Sequence, residues 1–96
     1  MPIPEDFVLQ QNYPNPFNPK TTIEYDLPQD THVVLTIYNL LGQKIRTLVD
    51  EDQKVRSHTV IWTGVDDAGR SVASGLYIYK LQAGSFVDIK KMLLIK

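Results

Sequence analysis

Apolar residues recur at every second position through several short stretches of the chain, and the three-and-four spacing of an amphipathic helix is not sustained anywhere. In Thr22 to Leu27 the apolar face is Ile23, Tyr25 and Leu27, with polar residues between them, which is the pattern of a half-buried strand. In His32 to Tyr38 the face Val33, Leu35, Ile37 is expected to point inward, and Val34, Thr36 and Tyr38 outward. Asn39-Leu40-Leu41-Gly42-Gln43 reads as a turn in which Gly42 takes positive φ, leading into a strand from Lys44 to Val49. The adjacent pair Leu48-Val49 breaks the alternation and predicts a bulge or the end of that strand. The acidic run Asp50 to Lys54 is then expected to be a charged loop.

Beyond it, Ser57 to Thr63 places His58, Val60 and Trp62 on one face, with Trp62 as the expected centre of the core. Gly64 to Arg70, with two glycines and two aspartates, predicts a tight surface loop. From Gly75 to Leu81 the residues Tyr77, Tyr79 and Leu81 share a face. A hairpin at Ala83-Gly84 and a final strand from Ser85 to Ile95 follow, with Lys90-Lys91 interrupting that strand. With a short opening strand at Phe7 to Leu9, the total is about seven strands and no helix to cover a sheet. Two sheets must then cover each other, so the predicted fold is all-β, an immunoglobulin-like antiparallel β-sandwich.

A length of 96 residues accommodates one such core and not two. Residues 1 to 6, with Pro2 and Pro4, read as the remnant of a linker to something upstream, Met1 as an added start, and residues 7 to 96 as the domain. A domain of this size buries only about two-thirds of the surface its unfolded chain exposes, which leaves little room for a deep active site.

Charge and composition narrow the function further. Ten Lys+Arg against 11 Asp+Glu give a net charge of -1, too small to steer the chain toward nucleic acid or an anionic membrane. The absence of cysteine rules out disulfides, thiolate metal sites and thiol catalysis. His32 and His58 lack the neighbours at short spacing that would build a metal site, and read as ordinary strand residues. Asp66-Asp67-Ala68-Gly69 lacks the alternating oxygen ligands of a calcium loop and reads as a turn. No serine sits in a nucleophile elbow, and Glu51 and Asp52 lie in a solvated run rather than a cleft. No catalytic residue, cofactor, metal or small-molecule substrate is therefore expected. The aromatics Trp62, Tyr13, Tyr38, Tyr77 and Tyr79 raise carbohydrate binding as an alternative, but most alternate in phase with apolar neighbours and fit a core better.

One segment is too particular for a generic loop. Gln10 to Pro19 has Pro14, Pro16 and Pro19 within six positions, each without an N–H donor and each biasing its predecessor to extended geometry. It can be neither helix nor central strand; Phe17 is expected to pin it under the sandwich, with the asparagine amides satisfying backbone groups. This segment, together with Ile37-Tyr38-Asn39-Leu40-Leu41-Gly42-Gln43, Ser74-Gly75-Leu76-Tyr77 and Lys91-Met92-Leu93-Leu94-Ile95-Lys96, resembles the type A C-terminal sorting domain of the type IX secretion system. The resemblance runs from about Phe7 to the last residue. The fold also resembles the immunoglobulin-like part of flagellar hook-capping proteins. Arg56, where many relatives have glycine, and Thr63, where they have aspartate, depart from the sorting-domain pattern in the middle of the chain.

The resemblance implies a non-catalytic signal domain at the end of a larger exported protein. Its implied partners are an outer-membrane translocon, a sortase-like peptidase that removes the domain, and a covalently fused upstream cargo. It implies passage through the periplasm to the cell surface or beyond. Carried over by position, the recognition residues are Pro14, Asn15 and Pro16 in the early loop, Gly75 and Tyr77, and Lys91, Met92, Leu93, Leu94, Ile95 and Lys96 at the terminus. An apolar last strand is expected to leave its backbone edge available for strand addition, with Gly75 permitting close backbone approach or a bend and Tyr77 anchoring the strand start. The competing readings are a carbohydrate-binding or a structural accessory β-sandwich module of a secreted multidomain enzyme.

Overall fold

The computed structural model describes residues 3–96; Met1 and Pro2, on which the added start and the first linker proline fall, lie outside the described residues. Seven strands follow one another: β1 (Val8–Leu9), β2 (Thr21–Leu27), β3 (Thr31–Asn39), β4 (Lys44–Gln53), β5 (Arg56–Trp62), β6 (Gly75–Ala83) and β7 (Phe86–Leu94). They form a three-stranded sheet in the order β1-β2-β5 and a four-stranded sheet in the order β4-β3-β6-β7. Every pairing within the two sheets is antiparallel. All strands run between the same two ends of the molecule. Thr21 pairs with Trp62, Asn39 with Tyr77 and Gly75 with Leu94 at one end, the upper; Leu27 pairs with Arg56, Thr31 with Gln53 and Ala83 with Phe86 at the other, the lower.

Alternation of side chains explains why these segments pair as they do. In β2 the even-spaced set Thr21, Ile23, Tyr25, Leu27 is buried and the intervening residues are half-exposed, and β6 buries Tyr77, Tyr79, Leu81 and Ala83 in the same way. The two inner faces meet in one core with Trp62 near its upper end, 1% exposed. Phe17 lies at 5.8 Å from the Trp62 ring and Tyr77 meets it edge-on at 5.4 Å, geometries that each add about 0.5–1.5 kcal/mol to simple burial. The indole N–H donates to Val65 O at 2.8 Å, so the largest buried ring carries no unsatisfied donor. At the lower end Phe7 stacks on Phe86 at 5.2 Å, and the Tyr25 hydroxyl donates to Gln53 across the sheets.

The structure departs from the sequence expectations at four places and, at Leu48-Val49, decides between the two that the sequence left open. Asp50 to Gln53 is not a loop but the second half of β4, in register with Thr31 to Val34. The run is charged because β4 is an edge strand with solvent beside it, and acidic residues there discourage pairing with another chain. Leu48 and Ile45 are the extra residues at two register shifts, so the broken alternation marks a bulge, and the strand continues past it. Lys90-Lys91 does not interrupt β7, which stays paired with β6 throughout because Tyr79↔Lys90 and Ile78↔Lys91 keep an unbroken ladder at the sheet edge. The β6–β7 turn is made by Gly84 and Ser85, one residue later than expected, with Gly84 at φ +60°. Thr36, expected on the outward face, is also 5% exposed, because β3 is flanked by β4 and β6 on both sides.

Candidate functional site

The proline-rich segment between β1 and β2 is held by its asparagines. Asn12 is 2% exposed, and its Nδ2 donates to Thr21 Oγ1 at 2.9 Å and Pro14 O at 3.2 Å, while its Oδ1 accepts from Gln11. Its backbone N–H donates to the Tyr79 hydroxyl at 2.8 Å, which in turn donates to Gln10 O at 2.7 Å. Burial pushes the Tyr79 hydroxyl up to about 12, partly offset by that N–H donor. Prolines lack the N–H donors that would tie the loop into a ladder, so these side-chain bonds replace them. The peptide bonds before Pro14, Pro16 and Pro19 are cis.

From there the segment runs along the outer edge of β7 as a strap. Gln11 Nε2 donates to Lys91 O at 2.7 Å, and Asn15 Oδ1 accepts from Leu93 N at 3.0 Å. Phe17 N donates to Leu93 O at 3.0 Å, and Phe17 O accepts from Ile95 N at 2.9 Å, which makes a short parallel bridge between Phe17 and Leu94. The Phe17 ring, 2% exposed, turns beneath into the core beside Trp62. The expected open edge is thus closed over Lys91 to Ile95. In an antiparallel strand alternate residues point their backbone groups away from the partner, and here those of Lys91, Leu93 and Ile95 are engaged by the strap. Asp88 and Lys90, which share the inward-facing side with Met92, protect the remaining free edge of β7 in another way, by placing charge where a second strand would pack.

The third element adjoins both. Gly75 pairs with Leu94, Leu76 with Leu93 and Tyr77 with Met92. Gly75 has φ +150° and no atom within 4 Å of where a Cβ would sit, so its backbone conformation, and not a close approach, is what calls for glycine. Tyr77 is 6% exposed; its hydroxyl donates to Ala73 O at 2.6 Å, and burial raises its pKa above the ordinary value. Ser74 Oγ accepts from Lys96 N at 3.0 Å and ties down the last residue.

The eleven residues singled out from the sequence therefore converge on one region at the upper end, although they come from three separate parts of the chain. Their exposure divides them. Pro14, Asn15, Pro16, Lys91, Ile95 and Lys96 face solvent, and Leu93 and Gly75 are half-buried. Tyr77, Met92 and Leu94 are in the core, so they can shape the surface but not touch a partner. Sequence reasoning anticipated the asparagine amides, Asn12 among them, but missed Gln11 and Thr21, which set the strap with it. The signal available for them was the polar Gln-Gln-Asn run directly before an aromatic and three prolines.

Other candidate chemistry is sparse. His58 is 8% exposed, stacked on Tyr25 at 5.3 Å and bonded through Nε2 to Lys54 O at 2.8 Å, which is a core placement. His32 lies in the open between Asp52 (Nδ1, 2.7 Å) and Asp50 (Nε2, 2.8 Å); hydrogen bonds to these two carboxylates raise its pKa, Asp52 contributing most. Beside it is a shallow depression of about 320 Å³ lined by Asp30, Thr31, His32, Asp52, Gln53 and Lys54, at the end of the molecule opposite the strap. No group of three or more metal-ligating side chains forms among the described residues. Trp62, Tyr77 and Tyr79 are buried and offer no platform for a sugar ring, and the exposed Tyr13 donates its hydroxyl to Glu24 at 2.6 Å.

Two antiparallel sheets of three and four strands, packed around one apolar core, define the immunoglobulin-like class of β-sandwich. Within that class, the FlgD Ig-like domain family matches residues 17–85, and the chain belongs to it. Three solved structures show the same fold. Dimeric latent PorU from Porphyromonas gingivalis superposes with a TM-score of 0.74 at 18% identity, covering 94% of this chain and 9% of that one. PorZ, a surface component of the type-IX secretion system of the same organism, gives 0.61 at 19% identity, covering 94% and 11%. FLGD from P. Aeruginosa gives 0.61 at 19% identity, covering 77% and 57%. The chain thus spans about a tenth of the length of PorU and PorZ and just over half of FLGD. No curated protein sequence matches it.

Proposed function

We propose that this domain is a non-catalytic sorting signal of the type IX secretion system, carried by a larger exported protein and normally removed at the cell surface. The observation that carries the reading is the convergence of Pro14 to Pro16, Lys91, Ile95 and Lys96 at one end of the molecule, beside Gly75, through the strap and the β6–β7 ladder. Residues brought together from such distant parts of a chain, exposed yet rigidly held, are what a partner reading shape would use. The likeness of the fold to domains in PorU and PorZ supports the same reading. The partners are then the outer-membrane translocon and the sortase-like peptidase, with an upstream cargo joined to the domain. Because the strap occupies the backbone edge of the last strand, recognition runs through the outward side chains of Lys91, Ile95 and Lys96 and through the exposed Pro-Asn-Pro face.

The test is a reporter behind a signal peptide, fused to residues 1 to 96 and expressed in a type IX-competent strain. Export is expected for the intact fusion and loss of export when Lys91 to Lys96 are deleted. Retention of both fusions inside the outer membrane would refute the reading; equal export of both would refute the role of the terminal strand. A second reading follows from the family itself: a structural module of an assembly like that of FlgD, for which fusions would be retained alike.

A further inference from the structure

A net charge of -1 conceals a strong segregation of charge along the strands. The upper end carries six cations, Lys20, Lys44, Arg46, Arg70, Lys91 and Lys96, against two carboxylates, Asp66 and Asp67. The lower end carries six carboxylates, Asp26, Asp30, Asp50, Glu51, Asp52 and Asp88, against Lys54 and Arg56. Glu24, Lys80 and Lys90 lie near mid-strand, and Glu5 and Asp6 precede β1. Over a molecule 37 Å long this is a dipole that orients the domain near any charged surface, whatever its net charge.

The basic end also carries exposed apolar side chains, among them Leu41, which at 84% is the most exposed large apolar residue described. Leu41 and Leu40, on the β3–β4 turn, are 84% and 58% exposed, and Leu76 on β6 and Ile95 just past β7 are 44% and 48% exposed. The turn is rigid. Asn39 Oδ1 accepts from Leu41 N and Gln43 N at 3.0 Å each, Asn39 Nδ2 donates to Gln43 Oε1 at 2.7 Å, Gly42 N donates to Asn39 O at 3.0 Å, and Gly42 sits at φ +80°. A polar pair would serve such a turn equally well, so turn geometry does not account for the two leucines. The cations come from both sheets and from the Gly64 to Arg70 loop, so they ring the end of the sandwich instead of forming a patch on one face. A broad anionic layer facing this end meets cations from several of these elements together, whereas a single socket on another protein would meet only one side.

We propose that the upper end docks end-on onto an anionic phospholipid surface. Leu40 and Leu41 enter the boundary between headgroups and acyl chains, and Lys44, Lys91 and Lys96 lie at the headgroup phosphates. The acidic lower end is held away from the layer by the same field. This inference stands apart from the sorting reading, since it concerns the isolated domain and a lipid layer alone.

The experiment is co-sedimentation of the purified domain with vesicles of phosphatidylglycerol and phosphatidylcholine in equal parts, and with phosphatidylcholine alone, at about 0.05 M salt, where screening is weak. Partition onto the anionic vesicles is expected to be about tenfold or more above the neutral ones and to vanish at about 0.5 M salt. The double variant Leu40→Ser with Leu41→Ser is expected to lose about tenfold, and Lys44→Glu with Lys91→Glu at least as much. Val87→Ser with Ile89→Ser, an apolar pair away from the upper end and 51% and 53% exposed, is expected to change nothing. Equal partition onto both vesicle types, no partition at all, or losses as large for the Val87 and Ile89 pair would each overturn the proposal. The near-ultraviolet signal of Trp62 checks that every variant is folded.

Discussion

Phe17 runs parallel to Leu94, its amide donating to Leu93 O at 3.0 Å and its carbonyl accepting from Ile95 N at 2.9 Å, while its ring packs at 5.8 Å from Trp62. Backbone and side chain of one residue thus seal the edge of the last strand and fill the core beneath it. Replacing Phe17 by Ala is expected to cost about 3–5 kcal/mol, much of the stability of a domain this size. Asn15→Ala removes only the acceptor for Leu93 N, an exposed bond, and should cost about 1 kcal/mol. Urea midpoints give the energies. Amide exchange gives the location: in Asn15→Ala the Leu93 amide should lose protection, and unchanged protection there would remove the strap from the account.

Asn12 and Thr21 form a buried polar pair, 2% and 0% exposed, whose loss on one side strands the other. Thr21→Val leaves Asn12 Nδ2 with the longer bond to Pro14 O alone, and a destabilisation of about 1–3 kcal/mol is expected. Asn12→Ala orphans the Thr21 hydroxyl less completely, because that hydroxyl also donates to Pro14 O at 2.9 Å. Thermal unfolding of the two single variants and the double variant measures the coupling, which should be non-additive; additive losses would mean the two side chains act independently.

Burial pushes the hydroxyls of Tyr25 and Tyr79 up to about 12, against an ordinary value of 10.0. The folded pKa lies above the unfolded one, so the stability these groups contribute is complete below pH 10 and is lost as pH climbs toward 12. Absorbance titration of the phenolates should show two of the tyrosines ionising late, and unfolding should accompany their ionisation. Tyr79→Phe should remove one late step. All five tyrosines titrating together near pH 10 in the folded protein would contradict the placement.

His32 bridges Asp50 and Asp52, and both ring nitrogens can donate only when the ring is protonated. Its pKa is raised, first by Asp52 and then by Asp50, so what it contributes to the β3–β4 edge is present below about pH 6.5 and lost as pH rises through the folded value. Proton NMR of the imidazole should place His32 above the ordinary histidine value, and Asp52→Asn should lower it more than Asp50→Asn. Equal effects, or none, would show that the crossed bonds do not persist in solution.

The alternation of apolar residues made the seven strands and most of the core legible in the sequence, down to Trp62 and the inward face of Tyr77, Tyr79 and Leu81. Asp50 to Gln53 was misread because charge in an edge strand looks like charge in a loop; only the pairing with β3 distinguishes them. The candidate surface was legible as motifs but not as a place. That Asn15 would meet Leu93, or that Met92 and Leu94 would turn inward, depends on register and on which edge of the sheet the strap chooses, and neither is written in local periodicity. The charge segregation was hidden for a related reason: antiparallel strands carry alternate stretches of the chain to the same end, so residues far apart in sequence sum in space.

The bond between strap and last strand also sets an order of events. A ladder that joins Phe17 to Leu93 and Ile95 cannot close while the chain beyond Ile89 is still missing, so this sandwich completes itself only when its final segment arrives. A chain cut short before Leu93 would leave the Phe17 backbone unpaired and the hydrophobic seam beside Trp62 open to water. A copy cut short there is expected to betray itself by rapid proteolysis of the Gln10 to Pro19 segment.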